Sequence, residues 1–151
     1  MVDKAFKDLH AVSKTLRQEC PWDNRETIES FAQYLKEEAD EVLEAIEKKD
    51  YFSLKEELGD LLWNILFITN IAEEQGLFNL KEVLENVKEK MIRRHPHVYG
   101  NASKDMKSIE KLWKEIKGQE KLLKEKQREI FEMKINEHKR KTEDDYHEQL
   151  T

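Results

Sequence analysis

Residues that break helices are scarce in this chain, and their scarcity restricts its fold more than any other feature. Only four glycines and two prolines occur among the 151 residues. A β-sandwich or β-barrel needs such residues at its frequent turns, so both architectures are disfavoured. Charged residues make up 40 % of the sequence, and a mixture rich in Glu, Lys and Leu is typical of long helices. We therefore predict an all-α protein.

Large apolar residues recur at spacings of three and four, which predicts a bundle of four to five helices. The first helix should end before Pro21, because the residue that precedes a proline is disfavoured in the helical conformation. Ser53 and Glu56 form a potential capping box, which places the start of the third helix at Ser53. The predicted helices span about 2–18, 27–49, 53–76, from 79 to before Pro96, and from about 106 onward.

The third helix is apolar almost all round from Leu61 to Ile68. A helix of this kind is buried on several sides. In a domain this small, a second subunit is the expected cover, so we predict a homodimer whose helices merge into one bundle.

The composition changes near residue 117. The segment before this point holds all three tryptophans and most large apolar residues. Residues 118–151 hold 8 basic and 9 acidic residues, with few apolar positions between them. We therefore predict a globular domain over 1–117 and a charged helical or flexible extension over 118–151.

Charge and hydropathy disfavour several classes of partner. The net charge of −6 argues against general binding to nucleic acid, whose phosphates attract basic surfaces. Asn64 and Asn70 interrupt the longest apolar stretch, so a membrane-spanning segment is not expected. The chain begins with a charged segment that lacks an apolar signal core, and Cys20 is its single cysteine. We expect a cytoplasmic protein that binds neither membranes nor nucleic acid.

Two pairs of carboxylates lie at positions where apolar residues are expected. The apolar stripe of the second helix predicts an apolar residue at position 38, but Glu38 is found there, and Glu41 follows on the same face. Glu57 and Asp60 repeat this spacing within the apolar third helix. Helices joined by a short turn are antiparallel neighbours, so the two pairs should face each other across the bundle.

Four carboxylates in one partly buried pocket repel one another, and burial penalises their charged forms further. A divalent metal ion would compensate both effects. Oxygen ligands alone favour Mg²⁺, with Mn²⁺ as a possible substitute, over zinc. The alternative is that these residues are ordinary solvated side chains on a charged helix.

The acidic residues also form a recognisable motif. Glu37-Glu38-Ala39-Asp40-Glu41, followed by Glu57-Leu58-Gly59-Asp60, resembles the EExxE…ExxD signature of MazG-type nucleoside triphosphate pyrophosphohydrolases. The segments 20–23 and 90–100 resemble the same family, and the resemblance extends over about residues 5–117. It implies an all-α fold and Mg²⁺-dependent cleavage of a nucleoside triphosphate between its α- and β-phosphates. The products would be a nucleoside monophosphate and pyrophosphate, in a house-cleaning role.

The resemblance also implies roles for the acidic residues. Carried over by position, Glu38, Glu41, Glu57 and Asp60 would be the metal ligands. Glu37 and Glu38 are the candidate catalytic carboxylates, and Glu37 is a candidate for orienting water. The sequence leaves open which carboxylate accepts the proton of the attacking water.

Five residues are candidates for binding the substrate: Tyr34, Lys90, Arg93, Arg94 and Trp113. Lys90 and Arg94 are four positions apart and share a helix face, where they would hold the leaving pyrophosphate, whereas Arg93 lies about 100° away around the helix. Trp113 matches a tryptophan that lies near the nucleotide in the family. Favourable interaction of the basic residues with the helix C-terminus, and a place in the core for Trp113, are the alternatives.

Two other functions remain open at the level of sequence. One is a pyrophosphatase of the same all-α superfamily with a narrow substrate, such as dCTP, dUTP or phosphoribosyl-ATP. The other is a catalytically silent helical interaction module, which the charged extension favours. Four inward carboxylates argue against such a module, because a scaffold has no need of them.

Overall fold

A computed structural model of the chain describes residues 1–149, with their side chains up to residue 141. The described residues form helices and no strands, so the all-α prediction is confirmed. Two of the helices, α2 and α6, are single turns that begin at a proline, a residue suited to the first helical position. Among the described residues, none of the helices combines the length and apolar character needed to cross a membrane. The helices are α1 Val2–Glu19, α2 Pro21–Asn24, α3 Ile28–Lys48, α4 Tyr51–Glu74, α5 Leu80–Arg94, α6 Pro96–Tyr99 and α7 Met106–Gln149.

The chain forms two compact units, Met1–Leu80 and the described residues from Lys81 onward. In the first unit, α3 packs along α4, and α1 packs against α2 and α4. The predicted domain boundary after residue 117 lies inside α7, which continues as one helix to Gln149. The last two residues of the predicted extension, 150 and 151, lie outside the described residues.

The core of the first unit is aromatic. The rings of Phe31 on α3 and Phe67 on α4 stack with their centroids 4.7 Å apart, and Trp63 packs against Phe67 at 5.7 Å. Ile71 is fully buried beside them. These contacts hold the first half of α3 against the second half of α4, which fixes the two helices side by side.

A buried polar network joins α1 to α4. The Nδ2 group of Asn70 donates to Ser13 Oγ at 2.9 Å, and the Ser13 hydroxyl donates to the His10 carbonyl at 2.8 Å. The side-chain oxygen of Asn70 lies 3.2 Å from His10 Nε2. Asn70, which interrupts the apolar stretch in the sequence, is therefore buried because its polar atoms have partners.

Arg17 connects α1 to α2, to α4 and to the segment that precedes α3. Its guanidinium donates to both carboxylate oxygens of Glu74 at the end of α4, at 2.9–3.0 Å. Its Nη1 group donates to the backbone carbonyls of Asp23 in α2 and Glu26 before α3. The Arg17 side chain is only 12 % exposed, so these hydrogen bonds are largely shielded from solvent on the arginine side.

The turn between α3 and α4 has two residues, Lys49 and Asp50. Lys49 adopts the left-handed conformation, with φ 55°. Asp50 caps α4: its carboxylate accepts hydrogen bonds from the backbone N–H groups of Phe52 and Ser53. The predicted start of α4 at Ser53 is therefore wrong, because Asp50 supplies the cap three residues earlier and Ser53 Oγ donates to it.

The second unit contains α5, α6 and α7. Residues 101–105 form a loop, and Asp105 caps the start of α7 by accepting from the Ser108 N–H. Hydrogen bonds from Ser103 and Ser108 lower the pKa of Asp105 to about 2. This capping carboxylate is thus charged throughout the physiological range, next to the positive end of the helix dipole.

Candidate functional site

Three of the predicted ligands converge between α3 and α4. Glu38 and Glu41 lie one turn apart on α3, and Glu57 lies on α4. One carboxylate oxygen from each lies within 4.8 Å of the others. Asp60 is not part of this close group of three, but its charge acts on both Glu38 and Glu57. We call these four residues the acidic cluster.

The electrostatics of the acidic cluster are unfavourable in the metal-free protein. Burial raises the pKa of Glu57 to about 7, helped by a hydrogen bond to Glu41 and by the charges of Glu41, Asp60 and Glu38. Burial also raises the pKa of Glu38, and the neighbouring charges of Asp60 and Glu41 add to the effect. Each cause penalises an unscreened anion, so protons or a cation must compensate. The donor set, all carboxylate oxygens, fits a hard divalent cation.

Two members of the acidic cluster, Glu41 and Glu57, line a small pocket at the α3–α4 turn, with a volume of about 240 Å³. Its wall carries four carboxylates, two of them from the acidic cluster, together with one lysine, one serine and one alanine. The lining residues are Glu41, Glu44, Ala45, Lys48, Asp50, Ser53 and Glu57. Glu41 and Glu57 are therefore open to solvent through this pocket.

Glu37 and Tyr34 take different positions on α3. Glu37 is exposed, and its carboxylate accepts a hydrogen bond from Gln33 Nε2 at 2.6 Å. Its charge contributes to the raised pKa of Glu38. Tyr34 is 38 % exposed, and its ring packs edge-on against Phe31 with centroids 5.4 Å apart. Neither side chain belongs to the group of three converging carboxylates.

In the second unit, two adjacent arginines of α5 bind one carboxylate of α7. Nε and Nη2 of Arg93 donate to Oε1 of Glu120, at 2.9 and 2.7 Å. The same two groups of Arg94 donate to Oε2, at 3.1 and 2.6 Å. The two arginines, although about 100° apart around the helix, thus share one partner. Lys90 lies one turn before Arg94 and is half-buried.

Arg94 also contacts the aromatic ring of Trp113. The Arg94 guanidinium carbon lies 5.3 Å from the centroid of the Trp113 ring, a cation–π contact. The ring of His95 meets Trp113 edge-on at 5.3 Å. Trp113 is therefore half-buried against basic side chains, and Arg94 is held by both a carboxylate and an aromatic ring.

Comparison with known proteins shows that the acidic cluster and the two arginines of α5 belong to one family match. Residues 26–99 match the MazG nucleotide pyrophosphohydrolase domain. This chain carries a MazG domain. The match contains the acidic cluster, Tyr34, Glu37 and the basic residues of α5, whereas Trp113 and Glu120 lie beyond it.

Similar proteins include the nucleoside triphosphate pyrophosphohydrolase/pyrophosphatase MazG of Thermotoga maritima, 42 % identical over 118 residues. That alignment covers 77 % of this chain and 45 % of the relative. The nucleoside triphosphate pyrophosphohydrolase of Escherichia coli is 39 % identical over 102 residues, which cover 67 % of this chain and 39 % of the relative. The chain thus spans less than half the length of these two curated relatives.

A solved structure has the same fold. The crystal structure of a MazG-related protein from Thermotoga maritima superimposes with a TM-score of 0.67 at 29 % identity. The superposition covers 74 % of this chain and 98 % of the other. The common fold therefore extends over nearly the whole of that protein and about three quarters of this chain.

Sequence reasoning missed Glu120, the shared partner of the two arginines of the MazG domain. Glu120 lies in the segment predicted to be an extension, where acidic and basic residues alternate without an apolar pattern. One signal was present: Glu120 follows Trp113 by seven residues, so both lie on the same face of α7 two turns apart. The partner residues on α5 cannot be inferred from that spacing.

Proposed function

We propose that this MazG domain is a metal-dependent nucleoside triphosphate pyrophosphohydrolase that releases a nucleoside monophosphate and pyrophosphate. The observation that carries the proposal is the convergence of Glu38, Glu41 and Glu57 within 4.8 Å. The names of the two curated relatives support the substrate class. Hydrolysis of several nucleotides, as a house-cleaning role requires, is part of the proposal.

The acidic cluster would hold the metal ion, which we propose to be Mg²⁺, with Mn²⁺ as a substitute. Glu38, Glu41 and Glu57 supply the converging oxygens, and Asp60 adds negative charge beside them. A bound ion supplies neutralisation of phosphate oxygens and polarisation of the α-phosphorus. The raised pKa of Glu57 supports this role, because a cation at the cluster relieves the repulsion that causes part of the shift.

The remaining candidates act on water and on the phosphate chain. Glu37 is exposed next to the acidic cluster in sequence, and we assign it to orienting the attacking water. Lys90, Arg93 and Arg94 are assigned to the phosphate oxygens, to which lysine offers a compact positive charge and the arginines offer forked guanidinium donors. Tyr34 and Trp113 remain proposed contacts of the nucleotide.

The test is incubation with a panel of nucleoside triphosphates and Mg²⁺, with the products separated. Monophosphate and pyrophosphate support the proposal, whereas diphosphate and phosphate contradict it. Turnover restricted to one nucleotide would replace the house-cleaning role by a narrow specificity. Replacing any member of the acidic cluster by its amide should reduce turnover at least about 100-fold, since second-shell changes alone cost 10–100-fold at metal sites. Glu56→Gln, an exposed neighbour on α4, is the matched control and should retain activity.

We further propose that the protein is a homodimer. In the first unit, Leu43, Ile46, Leu58 and Ile65 of α3 and α4 are between 41 and 58 % exposed. Several exposed apolar side chains on neighbouring helices favour burial against another protein chain. Light scattering at micromolar concentration should give twice the mass of one chain. A monomer under those conditions would contradict the proposal.

A further inference from the structure

Glu120 makes four hydrogen bonds to Arg93 and Arg94, at 2.6–3.1 Å, with one carboxylate oxygen for each arginine. Two guanidinium groups on one carboxylate lie close enough to repel each other. Glu120 compensates one of the two positive charges, so the three side chains together keep a net charge of +1. The group therefore remains attractive to an anion.

The three side chains differ in exposure in a way that suits binding. Arg94 and Glu120 are 18 % and 19 % exposed, and Trp113 packs on Arg94 from another side. Arg93 is 51 % exposed. The four bonds use Nε and Nη2 of each arginine and do not involve either Nη1. The Glu120 carboxylate thus fixes one edge of each guanidinium group, the edge that carries Nε and Nη2.

We propose that Glu120 is a positioning residue that holds Arg93 and Arg94 as a pair of donors for the phosphate chain of the nucleotide. This inference rests on the proposed function. Long side chains lose conformational entropy when they bind a ligand, and ordering them beforehand lowers that cost. Paired guanidinium groups with fixed orientation also match adjacent phosphate oxygens better than freely rotating ones.

The proposal makes a prediction opposite to simple electrostatics. Removing a negative charge beside two arginines should by itself strengthen anion binding. If Glu120 positions the arginines, Glu120→Gln should instead raise KM about 5- to 20-fold while kcat changes less than about twofold. Binding of magnesium pyrophosphate, measured by calorimetry, should weaken by a similar factor. Glu125→Gln removes the same charge from an exposed site on α7 and is the matched control.

A double-variant experiment tests whether Glu120 acts through the arginines. In a chain with Arg93→Lys and Arg94→Lys, the forked donors are absent, so adding Glu120→Gln should change binding far less than it does in the wild type. Circular dichroism of each variant checks that the helices are retained.

Tighter pyrophosphate binding by Glu120→Gln would show that the carboxylate competes with phosphate and would overturn the proposal. An effect equal to that of Glu125→Gln, or one that persists in the double-lysine chain, would also overturn it. The binding assay does not require turnover. A wild type that binds pyrophosphate but hydrolyses no nucleotide would contradict the proposed function, and the comparison of variants would still decide the role of Glu120.

Discussion

At the scale of single residues, Glu57 makes the stability of the metal-free fold depend on pH. Its pKa is raised from the ordinary 4.5 to about 7 in the folded chain. The folded state therefore binds the proton more tightly than the unfolded state, and the stabilisation is fully present below 4.5. The free energy of unfolding should fall as pH rises from 4.5 to about 7. Urea denaturation in the presence of a chelator, repeated across this interval, measures the slope.

Glu57→Gln should remove most of this slope, because the amide does not titrate. Glu56→Gln changes an exposed neighbour on the same helix and should keep the slope of the wild type. Equal slopes in the two variants would contradict the assignment to Glu57.

Individual residues differ in how far the sequence determines their surroundings. The placement of Glu38 and Glu41 on one face follows from helical spacing alone, and the structure brings them together with Glu57. The contact of Arg94 with Glu120 joins residues 26 positions apart on different helices. No local pattern specifies such a pair, because the contact depends on the packing of long side chains that come from two separate helices.

At the scale of elements, the boundaries of helices depend on which of two nearby caps is used. The sequence predicts a start at Ser53 with Glu56, whereas the structure has its N-cap at Asp50. Asp50 is used because its carboxylate reaches two backbone N–H groups directly after the left-handed Lys49 ends α3. The existence of the helix was predictable, whereas its first residue required the conformation of the turn.

Gly59 lies within α4, where glycine has a lower helix propensity than alanine. A β-carbon added there would meet nothing within 4 Å outside the local helix, and the same holds for Gly118 on α7. Glycine within a helix costs about 0.5–1 kcal/mol relative to alanine. Gly59→Ala should therefore increase the free energy of unfolding by about that amount, as measured with urea.

Gly118→Ala is the matched variant, because it makes the same change in an equally open site. Both should gain stability by helix propensity. A loss of stability in Gly59→Ala alone, measured on the same protein concentration, would show that another molecule occupies the space beside Gly59 in solution.

At the scale of the whole molecule, the polar network of Asn70 is one of the links that hold α1 against α4. Asn70→Leu fills a similar volume but removes the donor to Ser13 Oγ and the partner of His10 Nε2, while the Ser13 hydroxyl keeps its bond to the His10 carbonyl. Unsatisfied buried groups cost about 1–3 kcal/mol each. We expect a loss of at least about 1 kcal/mol in the free energy of unfolding, measured by urea denaturation.

Thr69→Val provides the comparison for Asn70→Leu. Thr69 is equally buried, but its hydroxyl donates only to the Ile65 carbonyl of its own helix. The valine variant should be clearly less destabilised. If both variants lost the same stability, the link between α1 and α4 would not be the cause.

Metal binding should stabilise the entire fold. An ion that binds the folded acidic cluster and not the unfolded chain adds about 2.7 kcal/mol at a hundredfold excess over its dissociation constant. Mg²⁺ should therefore raise the melting temperature more than Na⁺ at equal ionic strength. Glu41→Gln should reduce this difference, because it removes one converging carboxylate. Equal shifts for both salts, or for both proteins, would show that the cluster binds no metal.

The length of the two-residue turn, Lys49 and Asp50, also determines whether the acidic cluster can form. It sets the rotational phase of α4 against α3, and the convergence of Glu57 with Glu38 and Glu41 depends on that phase. One inserted residue that is absorbed into α4 would rotate the helix by about 100° and carry Glu57 away from α3. A length change at this turn would therefore dismantle the site while every one of its carboxylates remained in the sequence.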